Sequence, residues 1–371
     1  MESIFEERLN RLLKAVHLEK PDRIPTMGSG SAVFAKLTGT KLADYCGDMD
    51  INLQTNLKGT NMFQPDGVQV TVFEPKMLDA CWMGHMEIPG IELGDNELWQ
   101  MHEKENIKEE DYDIIIRQGF APWYMQFMVE RLHWDMSLLE RYPQIMGNAV
   151  GVFAANGYPC FCGNNYWTPI EMYCGGRTLM NFFAEDLMGD PDKVEEVFDI
   201  THAFFMNMWE DQLKNMPQRP IAAWIGGWRG TPDLLNPEMF ERFSWKYIRE
   251  VANMLLKYGV IPLFHLDSNW TNGMKYFREF PKGSVILGLD GRTDIFKAKE
   301  IIGDHCCIMG DVSATLMSFG TPEQVEDYCR KLIYEVGPEG FILTTGCDAP
   351  YNARLENMQA LYNAPNKFPI G

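Results

Sequence analysis

The chain has 371 residues, 46% of them apolar, and a formal net charge of −19. That is enough apolar material for a large core, and barrels of about 250 to 400 residues fold as one unit. So acidic a chain repels nucleic-acid phosphates and anionic lipid heads and is a poor match for a polyanionic substrate.

No run of about 18 apolar residues occurs, so no transmembrane helix is expected. The opening Met1–Lys20 reads as an amphipathic helix, with Ile4, Phe5, Leu9, Leu12, Leu13 and Val16 on one stripe, and not as a secretory signal. The nine cysteines are odd in number and scattered. They read as reduced thiols of a cytoplasmic protein, not as a disulfide framework.

In chain order, Arg23–Met27, Gly67–Val72 and Tyr158–Cys162 read as the first three strands. Between them, the polar stretch 73–122 reads as an irregular insertion, with a small hairpin joining His85–Leu93 to Glu97–Glu103. Helices are expected near Pro169–Met188 and Pro191–Leu213. Then come five short apolar strands: Ile221–Gly226, Val260–His265, Ser284–Leu289, Cys306–Gly310 and Phe341–Thr345. Helical patterns lie between them near Pro237–Lys257, Gly273–Phe280, Ile295–Ile302 and Pro322–Glu335, and a last one near Leu355–Tyr362. Asn236-Pro237 and Thr321-Pro322 each put a capping residue before a proline at the first helical position. Strands alternating with helices mean parallel βαβ units. Eight such strands predict one domain over 1–371, an α/β (β/α)8 TIM barrel with the insertion 73–122 over its mouth.

Catalytic residues of such barrels gather past the C-terminal strand ends. Here four consecutive late strands end in His265 with Asp267, in Asp290, in Asp311 and in Cys347. An imidazole, carboxylates and a thiolate on neighbouring strand ends can hold zinc with one position open for chemistry. Singly, each aspartate can equally cap the next helix, and a lone cysteine is usually inert.

Other candidates are weaker. Cys160 and Cys162 form a C-x-C pair, and Cys306 and Cys307 fall early in a strand where core packing is expected. Gly28-Ser29-Gly30-Ser31 can cradle an anion on backbone N–H groups, although no lysine follows in P-loop spacing. Trp224, Trp228, Trp270, Tyr166 and Trp167 fall near strand ends, and Arg177 and Arg229 are the arginines placed to face the mouth.

The runs His265-Leu-Asp267-Ser-Asn-Trp270, Gly310-Asp311-Val312, Gly320-Thr-Pro322-Glu-Gln-Val325, Gly340-Phe-Ile-Leu-Thr-Thr-Gly346-Cys347 and Glu356-Asn357 resemble the uroporphyrinogen decarboxylase-like superfamily. Arg23-Ile-Pro25 after a helix is similar too, but the likeness is specific from about Ile221 onward. One branch, the metal-free decarboxylases, grips substrate carboxylates with an arginine-rich loop after the first strand; this chain has Gly28-Ser29-Gly30-Ser31 there. The other branch, the corrinoid-dependent methyltransferases, binds zinc through a His-x-Cys, often an acidic residue on the next strand, and a late cysteine. That resemblance implies His265, Asp290 and Cys347 as metal ligands, with Asp267 standing where the family has cysteine.

Fewer thiolates leave zinc a stronger Lewis acid, which suits a methyl ether oxygen better than a thiol. The resemblance therefore implies the substrate-side component of an O-demethylase. It would pass a methyl group, possibly from an aromatic ether, to the cob(I)alamin of a separate corrinoid protein. Asp311 or Asp267 would relay a proton, and Trp224, Trp228, Arg229 and Trp270 would contact the substrate or corrin. No D-x-H-x-x-G pattern is present, so the corrinoid is expected on a partner. Two alternatives remain open: a metal-free decarboxylase, and a non-catalytic tetrapyrrole- or metal-binding protein.

Overall fold

The structure, a computed structural model, describes residues 3–161 and 164–371. Its strands, in chain order, are β1 (Met27–Gly28), β2 (Gly67–Val68), β3 (His85–Glu87), β4 (Gln100–His102) and β5 (Asn165–Tyr166), then β6 (Ala222–Gly227), β7 (Ile261–Leu266), β8 (Ile286–Leu289), β9 (Cys307–Val312) and β10 (Phe341–Thr345). Strands β5 to β10 form one parallel sheet in which each lies beside its sequence neighbour. Strands β1 and β2 form a parallel pair. Single bridges tie that pair to β10 through Thr26 and Leu343, and to the segment before β5 through Val68 and Cys160. Helices Lys246–Lys257, Ile295–Ile302 and Pro322–Glu335 cross between successive late strands. This is a parallel α/β fold of the TIM-barrel kind.

Strand alternation separates two cores. Phe264, Leu266, Leu287, Leu289, Ile308, Phe341 and Leu343 pack outward against the helices. Ala222, Leu263, Ile286, Cys307, Met309 and Ile342 pack inward around Leu12, Ala15 and Val16 of the first helix, Ile4–Val16. That helix begins with a capping box between Ser3 and Glu6. The expected stripe is rotated: Ile4 is 56% exposed, while Arg8 and Arg11 are buried. Paired arginines displace an apolar residue there, because Arg11 bonds Asp66 and Asp22, and Arg8 bonds the Gly157 carbonyl.

The stretch 73–122 is less irregular than its composition suggests. It holds helices Met77–Trp82 and Glu109–Gln118, and β3 pairs antiparallel with β4, so the expected hairpin is present but shorter. The acid run Glu109–Asp111 is the first turn of a helix, where the helix dipole favours negative charge. Asp111 is buried against Arg131 and accepts from the Lys108 amide. The caps at Asn236 and Thr321 form as the sequence indicates. No described helix is long and apolar enough to cross a membrane.

Candidate active site at the late strand ends

The inward row of β7 runs Ile261, Leu263, His265, and its next member is Asp267. Alternation therefore carries the imidazole and the carboxylate to the same side, at the strand's C-terminal end. Cys347 arrives two residues past β10. Gly346 lets it approach, since a Cβ there would lie 2.5 Å from the Asp290 carbonyl oxygen. His265 Nε2 lies 3.6 Å from Cys347 Sγ and 3.3 Å from Asp267 Oδ1. One nitrogen, one oxygen and one sulfur thus converge within 4.8 Å of one another. The Trp224 ring, on the inward row of β6, stacks on His265 at 5.6 Å. Burial works to lower the His265 pKa, but the Asp267 carboxylate and Cys347 sulfur outweigh it and raise it to about 10.

Both loops carrying the ligand-type atoms are pinned. The Asp267 amide donates to the Gly227 carbonyl, and its own carbonyl accepts from the Trp270 indole at 2.7 Å. Asp290 stands beside the group, not in it. Its carboxylate accepts from the Ser268 amide at 3.1 Å and the Arg292 amide at 2.7 Å. Burial raises its pKa, and those two amides oppose the rise. Asp348, next to Cys347, accepts from Ser29 Oγ at 2.8 Å and the Ser31 amide at 3.0 Å. The Gly28–Ser31 loop holds the chain's own Asp348 carboxyl group, which anchors the Cys347 loop to the segment after β1.

Two expected site residues lie elsewhere. Trp270 is fully buried between Phe240 and Phe277, so it braces the Asp267 turn and offers no face to a substrate. Asp311 is buried toward the helix layer, where it accepts from the Tyr328 hydroxyl at 2.7 Å. It lines a separate cleft of about 560 Å³ with Gly291, Ser313, Phe319 and Gln324. A proton relay from Asp311 to the His265 group therefore has no support. Burial raises the Asp311 pKa from 3.8 to about 6 against the Tyr328 hydrogen bond. A carboxyl raised in the fold contributes stability below about pH 4 and loses it as pH passes about 6. Asp311→Asn keeps the acceptor for Tyr328 and is expected to lie close to the wild type at about pH 4 but to exceed it at pH 8 by up to about 3 kcal/mol. Urea denaturation at both pH values checks this, and equal stability at pH 8 would contradict it.

Trp228 and Arg229 follow β6 at the mouth, with the Arg229 guanidinium 4.5 Å from the Trp228 ring centroid. Their loop is held by Glu171, which the sequence reading passed over. Glu171 is buried and accepts from the amides of Trp228, Arg229 and Gly230. A carboxylate two residues into a helix after Thr168-Pro169 was the available signal. Arg177 is buried in ion pairs with Asp186, Glu185 and Glu105, the last within the 73–122 stretch. Tyr166 and Trp167 pack on Trp209. Cys306 and Cys307 are core residues, Cys160 is buried, and Cys162 lies outside the described residues.

A parallel α/β fold with nitrogen, oxygen and sulfur donors at its late strand ends defines a class of site. The model of the uroporphyrinogen decarboxylase (URO-D) family matches residues 161–368, more than half of the chain, and the chain belongs to that family. Uroporphyrinogen decarboxylase of Coxiella burnetii is 24% identical over 141 residues, 37% of this chain and 38% of that one. The methylcobamide:CoM methyltransferase MtbA of Methanosarcina mazei is 24% identical over 137 residues, 37% of this chain and 39% of that one. The matched stretches thus span under two fifths of those relatives. A solved methyltransferase structure from Methanosarcina mazei shares the fold over 98% of this chain and 99% of its own, with a TM-score of 0.72 at 15% identity.

Proposed function

We propose that this protein is a zinc-dependent methyltransferase that moves a methyl group from a methyl ether to the cob(I)alamin of a separate corrinoid protein. The spacing of the His265, Asp267 and Cys347 donor atoms carries this reading. Tetrahedral zinc with ordinary bond lengths holds its nitrogen and sulfur ligands about 3.6 Å apart and its nitrogen and oxygen ligands about 3.4 Å apart. The observed separations are 3.6 and 3.3 Å. Three protein ligands leave a fourth position for substrate. The likeness to a methylcobamide:CoM methyltransferase supports the acceptor class.

When bound, zinc would supply Lewis-acid polarisation of the ether oxygen. The chain's own residues do the rest. Trp224 fixes the His265 ring plane by stacking. Asp290 orients the turn bearing Asp267 by holding the amides of Ser268 and Arg292. Asp348 sets the Cys347 loop. The substitution of an oxygen donor at Asp267 for the family's thiolate favours an oxygen substrate. In this reading the fold is one (β/α)8 domain, supported by the bridges Thr26–Leu343 and Val68–Cys160, with 73–122 as a cap.

The metal-free decarboxylase alternative has less support. The loop where its arginines are expected holds no arginine and is bonded to Asp348. Metal dependence separates the two. Elemental analysis of protein purified without chelator is expected to find about one zinc per chain. Dialysis against a strong chelator should remove zinc and methyl transfer together, and added zinc should restore both. Full activity in the chelated protein would overturn the proposal.

A further inference from the structure

Arginine carries five N–H donors in a planar fork and stays charged at any working pH, so a buried guanidinium needs acceptors. Among the described arginines, Arg229 is poorly served. Its side chain is 13% exposed and its Nη1 is buried with no hydrogen-bond partner. Nη2 reaches only the Met101 sulfur, at 3.7 Å. The nearest carboxylate, Glu171, is 3.9 Å away and is already committed to three backbone amides. The buried arginines are better served: Arg8 bonds the Gly157 carbonyl, Arg11 bonds Asp66 and Asp22, and Arg177 bonds Asp186.

Its surroundings are equally specific. The guanidinium lies over the rings of Trp228, at 4.5 Å, and Trp82, at 5.9 Å. Those two rings meet edge to face at 4.1 Å. Trp82 and Met101 belong to the cap region and Arg229 to the β6 end, so the charge sits between cap and strand end. Gly227, two residues earlier, accepts the amide of Asp267. The cation is therefore on the strand neighbouring the one that bears His265 and Asp267.

We infer that Arg229, walled by Trp82 and Trp228, is a carboxylate-binding subsite, and that the methyl donor carries a single carboxylate beside its ether. A carboxylate matches the guanidinium fork with two parallel hydrogen bonds, and the indole rings suit a flat or apolar body next to it. The net charge of −19 disfavours a polyanion, and Arg229 offers one guanidinium to one anionic group. The inference rests on the methyl-transfer reading for the ether, whereas the carboxylate site stands on the arginine alone.

The test is calorimetric binding to the intact chain at pH 7.5, without corrinoid protein. The probes are 4-methoxybenzoate against 4-methoxybenzyl alcohol, and methoxyacetate against 2-methoxyethanol, with inorganic phosphate as a third kind of anion. In at least one pair the carboxylate is expected to bind about 10- to 100-fold tighter than its neutral counterpart. Arg229→Gln should erase that preference and leave affinity for the neutral partner in place, which also reports an intact fold. Arg229→Lys should restore only part of it, because an ammonium lacks the fork. Binding of neither carboxylate, a preference that survives Arg229→Gln, or phosphate binding as tightly as carboxylate would each overturn the inference. Arg229-dependent carboxylate binding with no methyl transfer would keep this subsite and remove the proposed reaction, so the two failures are distinct.

Discussion

Cys347→Ala is expected to strip the protein of zinc and of methyl transfer in one step. Loss of groups that merely orient ligands weakens metal binding about 10- to 100-fold, so loss of a ligand is expected to weaken it by at least about 100-fold. His265→Ala should behave the same way, because each side chain supplies one of the three donors that converge among the described residues. Asp290→Ala makes the informative comparison. Its carboxylate holds two backbone amides at the edge of the group, so about 10- to 100-fold weaker binding with residual activity marks it as a positioning residue. A loss as complete as that of Cys347→Ala would instead place Asp290 among the ligands. Retained zinc and full transfer in Cys347→Ala would end the zinc-site reading altogether. Zinc titration with a competing chromophoric chelator measures all three variants.

The largest stability effect is expected far from this site. Asp66 is fully buried and binds Arg11 at 2.6 Å, Arg23 at 2.8 Å and the Thr26 amide at 2.9 Å. Arg11 is itself 5% exposed. Asp66→Ala would leave that guanidinium short of its buried counter-charge and strand a buried amide. Breaking one side of a buried ion pair is destabilising by about 3 to 5 kcal/mol, and here the pair joins the first helix to β1 and β2. Thr26 is also the residue that bridges to Leu343 beside β10, so the damage falls where the N-terminal strands meet the late sheet. Urea unfolding followed by far-UV circular dichroism would show it. A change below about 1 kcal/mol would mean that Asp22 and Glu7 carry Arg11 alone.

The late strands were legible because each is a short run that is apolar on both faces and flanked by proline, glycine and capping signals. β6 to β10 fall within a residue or two of the expected runs. Strands β1 and β2 are only two residues long, too short for periodicity to register. Helix Met49–Phe63 has no clear apolar stripe in the sequence because polar residues such as Asn52 and Asn56 sit on its buried face, bonded to backbone carbonyls of Tyr45 and Thr71. At the site, spacing alone brought His265, Asp267 and Cys347 into consideration. It could not say that Asp290 would spend its oxygens on amides or that Asp311 would turn to Tyr328. Trp270 looked like a mouth residue from position alone, yet only contacts with Phe240 and Phe277 show that the turn folds its ring inward. Arg229 and Glu171 are 58 residues apart, and their relation is tertiary throughout.

The inward packing of Leu12, Ala15 and Val16 against Leu263, Ile286 and Ile342 has a kinetic consequence. The floor of the strand layer is stoppered by side chains, and in the proposed (β/α)8 reading this makes the strand-end side the doorway to the site. Under the proposed reaction, donor and cobalt must pass through that doorway, and the larger of them blocks it. Methyl donor has to enter before the corrinoid protein seats, and demethylated product has to wait until that protein leaves. Initial rates are then expected to follow a compulsory order, with excess corrinoid protein inhibiting by sealing the empty chamber and excess donor relieving that inhibition.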